Sequence, residues 1–308
     1  MFLLQAPQIR DLETFTAMPA SLRRPERSDW VDANRGGTVT DSFLEGPVFD
    51  DAGNLYVSDI PWGRIFRIDP QGAWSLVAEY DGEPNGMKFL DAGTLLITDY
   101  KNGLMRLDVA TGRVSPYLQR RNSERFKGVN DLVFDAEGNL YFTDQGRAGC
   151  MTLPGASTAC APTASSICCC TTCPVPTAWR SPDGRVLYLA VTRGNCVWRV
   201  PLLPDGSVAK VSQFFTSYGP SGPDGLAVDR QGRVLVANPG LGVVWILNGR
   251  AEPEWVLRGI PGSSTTNLAF GGEDRRTLYV TDSTHGRILR ITMESPGLPL
   301  HRAIAGPR

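Results

Sequence analysis

Gly128-Val-Asn-Asp-Leu-Val-Phe-Asp-Ala-Glu-Gly-Asn-Leu-Tyr-Phe-Thr-Asp144 carries in one stretch the frame on which most of the chain is built. A polar residue, Asn130, opens a short apolar strand; a turn follows at Gly138, and a second β-rich run ends in Thr143-Asp144. The frame returns around Glu45 with Gly53, Asn85 with Gly93 and Asp224 with Gly232, the turn glycine always eight residues after the polar one. Asn267 opens a looser copy with Arg275 at the turn position. Pro176 and Gly184 keep the spacing without the polar residue, which brings the units to six.

Within a unit, four short β-rich runs alternate with Gly and Pro turns. From Phe43 they are Gly46-Pro-Val-Phe-Asp50, Leu55-Tyr-Val-Ser58, Arg64-Ile-Phe-Arg-Ile68 and Trp74-Ser-Leu-Val77. Four strands in roughly 40 to 45 residues is the size of one propeller blade. An all-β, six-bladed β-propeller over residues 43–308 is therefore expected, preceded by an arm over 1–42 that holds a short helix at its start and the Pro- and Arg-rich run Arg23-Arg24-Pro25-Glu26-Arg27. Internal repeats outweigh the two-domain prior that 308 residues would suggest.

The innermost strand of a blade comes first, so the residue at its entrance faces the central channel. Glu45, Asn85, Asn130, Asp224 and Asn267 then converge as a ring. A repeat kept only for turns would be expected to hold one residue type, and the Ser-Asp and Thr-Asp pairs ending in Asp59, Asp99, Asp144 and Asp282 read that way. The ring instead mixes two carboxylates with amides, an all-oxygen set suited to a hard cation. Loops between the second and third strands return to the same face, which predicts Trp62, Tyr100 to Asn102, Gln145, Arg193, Asn238 and His285 around the channel mouth.

Composition narrows the partners. With 31 basic and 32 acidic residues, net charge −1 and no basic stripe, neither nucleic acid nor an anionic membrane is the expected partner. The opening Met1-Phe-Leu-Leu-Gln-Ala-Pro7 turns polar too soon for a signal segment, and no run reaches transmembrane length, so a cytoplasmic protein acting on a small molecule is expected. Gly-x-Ser-x-Gly is absent and the chain has only two His, which disfavours a Ser-His-Asp nucleophile.

Phe43-Leu-Glu-Gly-Pro-Val-Phe49, Pro84-Asn-Gly-Met87, Val129-Asn-Asp-Leu-Val-Phe-Asp135, Gly222-Pro-Asp-Gly-Leu-Ala-Val-Asp229 and Thr266-Asn-Leu-Ala-Phe-Gly-Gly272 together resemble the gluconolactonase, senescence-marker-protein and luciferin-regenerating-enzyme family, from about Trp30 to about Thr292. The resemblance implies a sugar lactonase with one divalent metal in the channel, calcium first, with magnesium, manganese and zinc as alternatives. The family's metal-holding Glu of the first blade and Asp of the fifth carry over to Glu45 and Asp224, while the Asn of the fourth has no counterpart. Asn130 and Asp131 resemble the substrate-binding segment; the basic residue that part of the family carries two positions earlier is here Gly128. The candidate assignment is Glu45, Asp224 and Asn130 for the metal, Asn85, Asn130 and Asp131 for the substrate, and Asp224 as base, with His285 second. A non-catalytic propeller that binds a ligand or protein is the rival class.

Five of the seven cysteines lie between Cys160 and Cys173, where strand patterning also fails. Cys170-x-x-Cys173 has neither a second such pair nor a His pair, so it does not read as a zinc site. Two compensating frameshifts bracketing about 149–181 would account for it, with a genuine Cys-rich insertion or binding loop as the alternative. With GC-rich codons read two bases out of frame, the triple Cys168-Cys169-Cys170 becomes Leu-Leu-Leu and the codons of Pro176 and Thr177 become Pro-Asn-Gly, which restores the missing Asn. As written, the segment predicts loss of the third and fourth strands of the Asn130 unit.

Overall fold

The computed structural model describes residues 5–144, 156–160, 166–169, 178–180 and 183–299. They form a β-propeller. Each of the six larger sheets starts with the run that opens a sequence unit, and the next strands of that unit follow outward as antiparallel neighbours. In the Glu45 sheet these are Leu44–Phe49, Leu55–Asp59, Arg64–Ile68 and Trp74–Glu79. Five sheets have four strands; the Asp224 sheet has five, and Arg120–Arg121 pairs with Glu124–Arg125 as a separate two-stranded ribbon. The expectation of equal four-stranded blades therefore needs correcting at Asp224.

The reason lies in the described part of the early chain, residues 5–42, which is not a free arm. Gln8–Asp11 adds in parallel to the outer edge strand Pro253–Arg258 of the Asp224 sheet, and Glu13–Ala17 pairs antiparallel with Arg287–Thr292 as the outermost strand of the Asn267 sheet. Joining early chain to late chain closes the ring and covers edges that would otherwise be left unpaired. The helix lies later than expected, at Asp29–Arg35. It is capped by Ser28, whose Oγ accepts from Val31 N at 3.3 Å, and ended by left-handed Gly36. Its Trp30 and Val31 bury against Ile60 and Phe43.

Neighbouring sheets pack face to face around the circle. Val48 and Tyr56 meet Met87, Phe89 and Leu95; Leu96 and Leu104 meet Leu132 and Phe142; Val133 and Tyr141 meet Leu187 and Leu189. The Asp224 sheet supplies Leu226 to Val228 and Val234 to Ala237 to one large cluster with Leu268 and Leu289, and Ile288 closes onto Leu44 and Phe66. Second strands such as Leu55–Asp59 are buried along their whole length because both faces meet a neighbouring sheet. Burying each large side chain contributes about 1.5–3 kcal/mol.

The predicted turn glycines Gly53, Gly138, Gly184 and Gly232 all have positive φ, and Arg275 takes the same left-handed conformation at φ 54°; Gly93 is the exception. Backbone strands Ala156–Cys160 and Ser166–Cys169 complete the Asn130 sheet, contrary to the expected loss of those strands, and Ala178–Arg180 opens the next. Most of the frameshift reading, including Pro176 and Thr177, lies outside the described residues. Among the described residues no helix is long and apolar enough to cross a membrane.

Candidate metal and lactone site in the channel

At the entrance of four inner strands the ladder slips. The register shifts between Glu45 and Val48, Pro84 and Met87, Val129 and Leu132, and Thr265 and Leu268. Such bulges re-aim side chains, and here they lie at the polar residue of four units. The fifth, Asp224, sits just before its strand Leu226–Val228 and is held by Asp224 N to Ala237 O at 2.9 Å and Ala237 N to Gly225 O at 2.9 Å.

Crowding at the entrance explains the residue that follows. A Cβ at Gly46 would collide with the Asn85 carbonyl oxygen, one at Gly86 with Asp131, and one at Gly225 with Asn267. Glycine in the position after the ring residue thus lets neighbouring blades meet at the axis. This polar-Gly pair is the sequence signal that ring spacing alone overlooked. Second-strand hydroxyls fasten the same contacts: Ser58 Oγ donates to Asn85 O at 2.8 Å and Thr98 Oγ1 to Asn130 O at 2.6 Å.

Glu45, Asn85, Asn130, Asp131 and Asn267 are buried, and Asp224 is half-buried. Glu45 Oε2 accepts from Asn267 Nδ2 at 2.9 Å and from Gly46 N at 3.1 Å. Even so, burial pushes the Glu45 carboxyl up to about 7, with the Asp131 charge adding to the rise. Burial likewise raises the Asp224 carboxyl well above the usual range, reinforced by repulsion from Glu45 and Asp131. No described residue donates a hydrogen bond to the Asp224 carboxylate.

Asn130 Nδ2 donates to the Tyr100 hydroxyl at 3.0 Å, and burial raises the Tyr100 phenol, with Asp224 and Glu45 adding to the rise. Asp131 Oδ1 accepts from Leu132 N at 2.7 Å and lies 4.0 Å from Lys88 Nζ, so it sits in the channel wall. The mouth residues divide. Tyr100 joins the site, Trp62 Nε1 is used on Asp41 O at 3.2 Å, and Gln145 lies outside the described residues. Asn238, expected at the mouth, is instead fully buried, because it occupies the second-strand position taken elsewhere by the recurring Asp; neither of its side-chain polar atoms has a partner among the described residues. His285 Nδ1 is 2.7 Å from Asp282 Oδ2, and the ring remains partly exposed at the rim.

A cavity of about 690 Å³ opens at the Asp224 end, with Phe43, Ser221, Asp224, Thr266 and Thr284 in its lining. A larger one, about 870 Å³, lies between the Asp50–Gly53 and Gly271–Arg275 turns and includes none of the ring residues. The smaller cavity is therefore the one that concerns the ring.

Among the described residues no three His, Cys, Asp or Glu side chains are grouped to hold a metal ion. The donor chemistry nevertheless fits one: Glu45 and Asp224 repel each other and no described residue donates to Asp224, which leaves carboxylate oxygens for a hard divalent ion.

Known proteins resemble this chain in sequence and in fold. Diisopropyl-fluorophosphatase of Loligo vulgaris is 28% identical over 82% of this chain and 90% of its own length, and lactonase drp35 of Staphylococcus aureus is 26% identical over 79% and 74%. Among solved structures, the calcium-binding protein regucalcin of Agrobacterium tumefaciens superposes with a TM-score of 0.76 at 21% identity over 97% of this chain and all of that one. A luciferin-regenerating enzyme superposes at 0.74 with 18% identity, over 85% and 95%; both likenesses concern the fold. Residues 43–284 match the family model described as SMP-30/Gluconolactonase/LRE-like region, and the chain belongs to that family.

Proposed function

We propose that the protein is a six-bladed propeller lactonase that opens a sugar lactone such as gluconolactone, with one divalent metal, calcium first, held by Glu45 and Asp224. Five four-stranded sheets and one five-stranded sheet support the blade count. The observation that carries the site is the Asp224 carboxylate, raised by burial and by Glu45 and left without a donor from the described residues. When bound, the ion would supply charge that keeps both carboxylates ionised and polarises the lactone carbonyl.

The remaining steps belong to the chain. Asp224 orients a water and takes its proton as the water oxygen bonds to the carbonyl carbon. The ring C–O bond then breaks, the proton passes to the departing ring oxygen, and the product hydroxy acid releases one proton to solvent. The second Nδ2 hydrogen of Asn130, the first being used on Tyr100, is available to the developing oxyanion. Asn85 makes no hydrogen bond through its amide to another described residue and is the candidate contact for substrate hydroxyls. Asp131 acts from the wall through its neighbours.

A phosphotriester substrate is the second reading, favoured by the 28% identity to the fluorophosphatase. Proton release from gluconolactone and fluoride release from a fluorophosphate ester, each measured with chelator and with restored calcium, test both. Metal-restored ring opening is expected. Absence of any metal-dependent turnover would leave the non-catalytic binding propeller in its place.

A further inference from the structure

Two residues break the repeat on the inner strands, and they touch. In the position after the ring residue, three units have glycine and the Asn267 unit has Leu268, whereas Asp131 follows Asn130. Three positions after the ring residue stand Val48, Val133, Ala227 and Phe270, all apolar, but Lys88 follows Asn85. Inner strands Pro84–Phe89 and Val129–Phe134 belong to adjacent sheets, and Lys88 Nζ reaches within 4.0 Å of Asp131 Oδ1. The Lys88 stem lines the far cavity, its side chain is only 9% exposed, and its ammonium also donates to Met87 O at 3.0 Å. Burying an ammonium costs several kcal/mol unless a partner offsets it, and here the partner is an equally anomalous carboxylate.

The channel charge follows. With an ion bound and both ring carboxylates ionised, Glu45, Asp131 and Asp224 bring three negative charges and Lys88 one positive, leaving two negative, the number a divalent ion balances. We propose that Lys88 is a positioning residue that sets the charge of the centre through Asp131 and so tunes it to divalent over trivalent cations. This rests on the metal-dependent reading above. A cation removed from the wall strengthens attraction for a trivalent ion more than for a divalent one, since Coulomb energy scales with the ion's charge.

The test is calorimetric titration of the full-length, chelator-stripped protein with calcium and with terbium, using wild type, Lys88→Met, Lys88→Arg and the double variant Lys88→Met/Asp131→Asn. The terbium-to-calcium affinity ratio is expected to rise about tenfold in Lys88→Met, to stay at the wild-type value in Lys88→Arg, and to return to it in the double variant, where the wall charge is again two negative. Should Lys88→Met fail to fold, Asp131→Asn alone is expected to lower the ratio by a similar factor. An unchanged ratio in Lys88→Met, or in Asp131→Asn where that variant stands in, overturns the proposal, as does Lys88→Arg behaving like Lys88→Met. Binding of neither ion by the wild type overturns the metal-dependent reading itself, a distinct result.

Discussion

Two sets of polar residues recur through the propeller with the same period, and they differ in how fully they are bonded. Asp59, Asp99, Asp144 and Asp282, at the ends of the second strands, accept backbone N–H groups from just ahead of the first: Phe43 at 2.7 Å, Glu83 at 3.0 Å, Lys127 and Gly128 at 2.8 Å each, and Ser264 at 3.0 Å. Side chains add to this, with Arg64 on Asp59 and Tyr80 on Asp99. The channel set is less satisfied. Glu45 and Asp224 face each other's charge, and Asp224 lacks a donor from the described residues. Burial raises the Asp59 carboxyl, to about 6, and that of Asp144 as well, so the sets differ in their donors: a carboxylate held by several is tied to the fold, whereas one near a like charge is poised for a cation or proton.

Asp224→Asn should separate the two sets most sharply. Lactone turnover is expected to fall 10²–10⁴-fold in a proton-release assay, while the melting temperature of the metal-free protein holds or rises because repulsion with Glu45 is gone. A fall in both would place Asp224 with the structural set. The mirror experiment is Asp59→Asn, which leaves the Arg64 guanidinium buried without its counter-charge. Destabilisation of about 3–5 kcal/mol by denaturant unfolding is expected, with near-normal turnover per folded molecule.

The third prediction concerns pH and the chelated protein. Glu45 is raised from 4.5 to about 7 in the folded state, so the fold keeps a proton that the unfolded chain loses. Its contribution, about 3 kcal/mol, is fully present below pH 4.5 and is lost as pH rises through about 7. Glu45→Gln should flatten that slope, and saturating calcium should oppose it by favouring the charged form. A metal-free stability curve equally flat in wild type would contradict the picture. The smallest effect is expected from Tyr100→Phe, which frees Asn130 of one bond: KM rises several-fold with kcat little changed, a difference of about 1 kcal/mol. An equal loss in kcat would mean that Tyr100 acts in the transition state.

The units, their turns and the ring positions were legible because each recurs with a fixed offset, and repetition multiplies a weak local signal. The early chain was not. Gln8–Asp11 and Glu13–Ala17 are short, largely exposed and stabilised by strands more than 240 residues away, so they read as an arm. Asn238 likewise looked like a mouth residue, although its register in Val234–Asn238 buries it.

Sequence alone determined the repeating strand pattern, the polar residue at five of the inner entrances and the family to which they point, since all three are encoded by residue type and spacing. Tertiary structure decided which early strands close the ring, why glycine follows Glu45, Asn85 and Asp224, and that Lys88 stands against Asp131. Those depend on atoms of different blades meeting across the channel, and a linear spacing holds no information about such distances until the circle is closed.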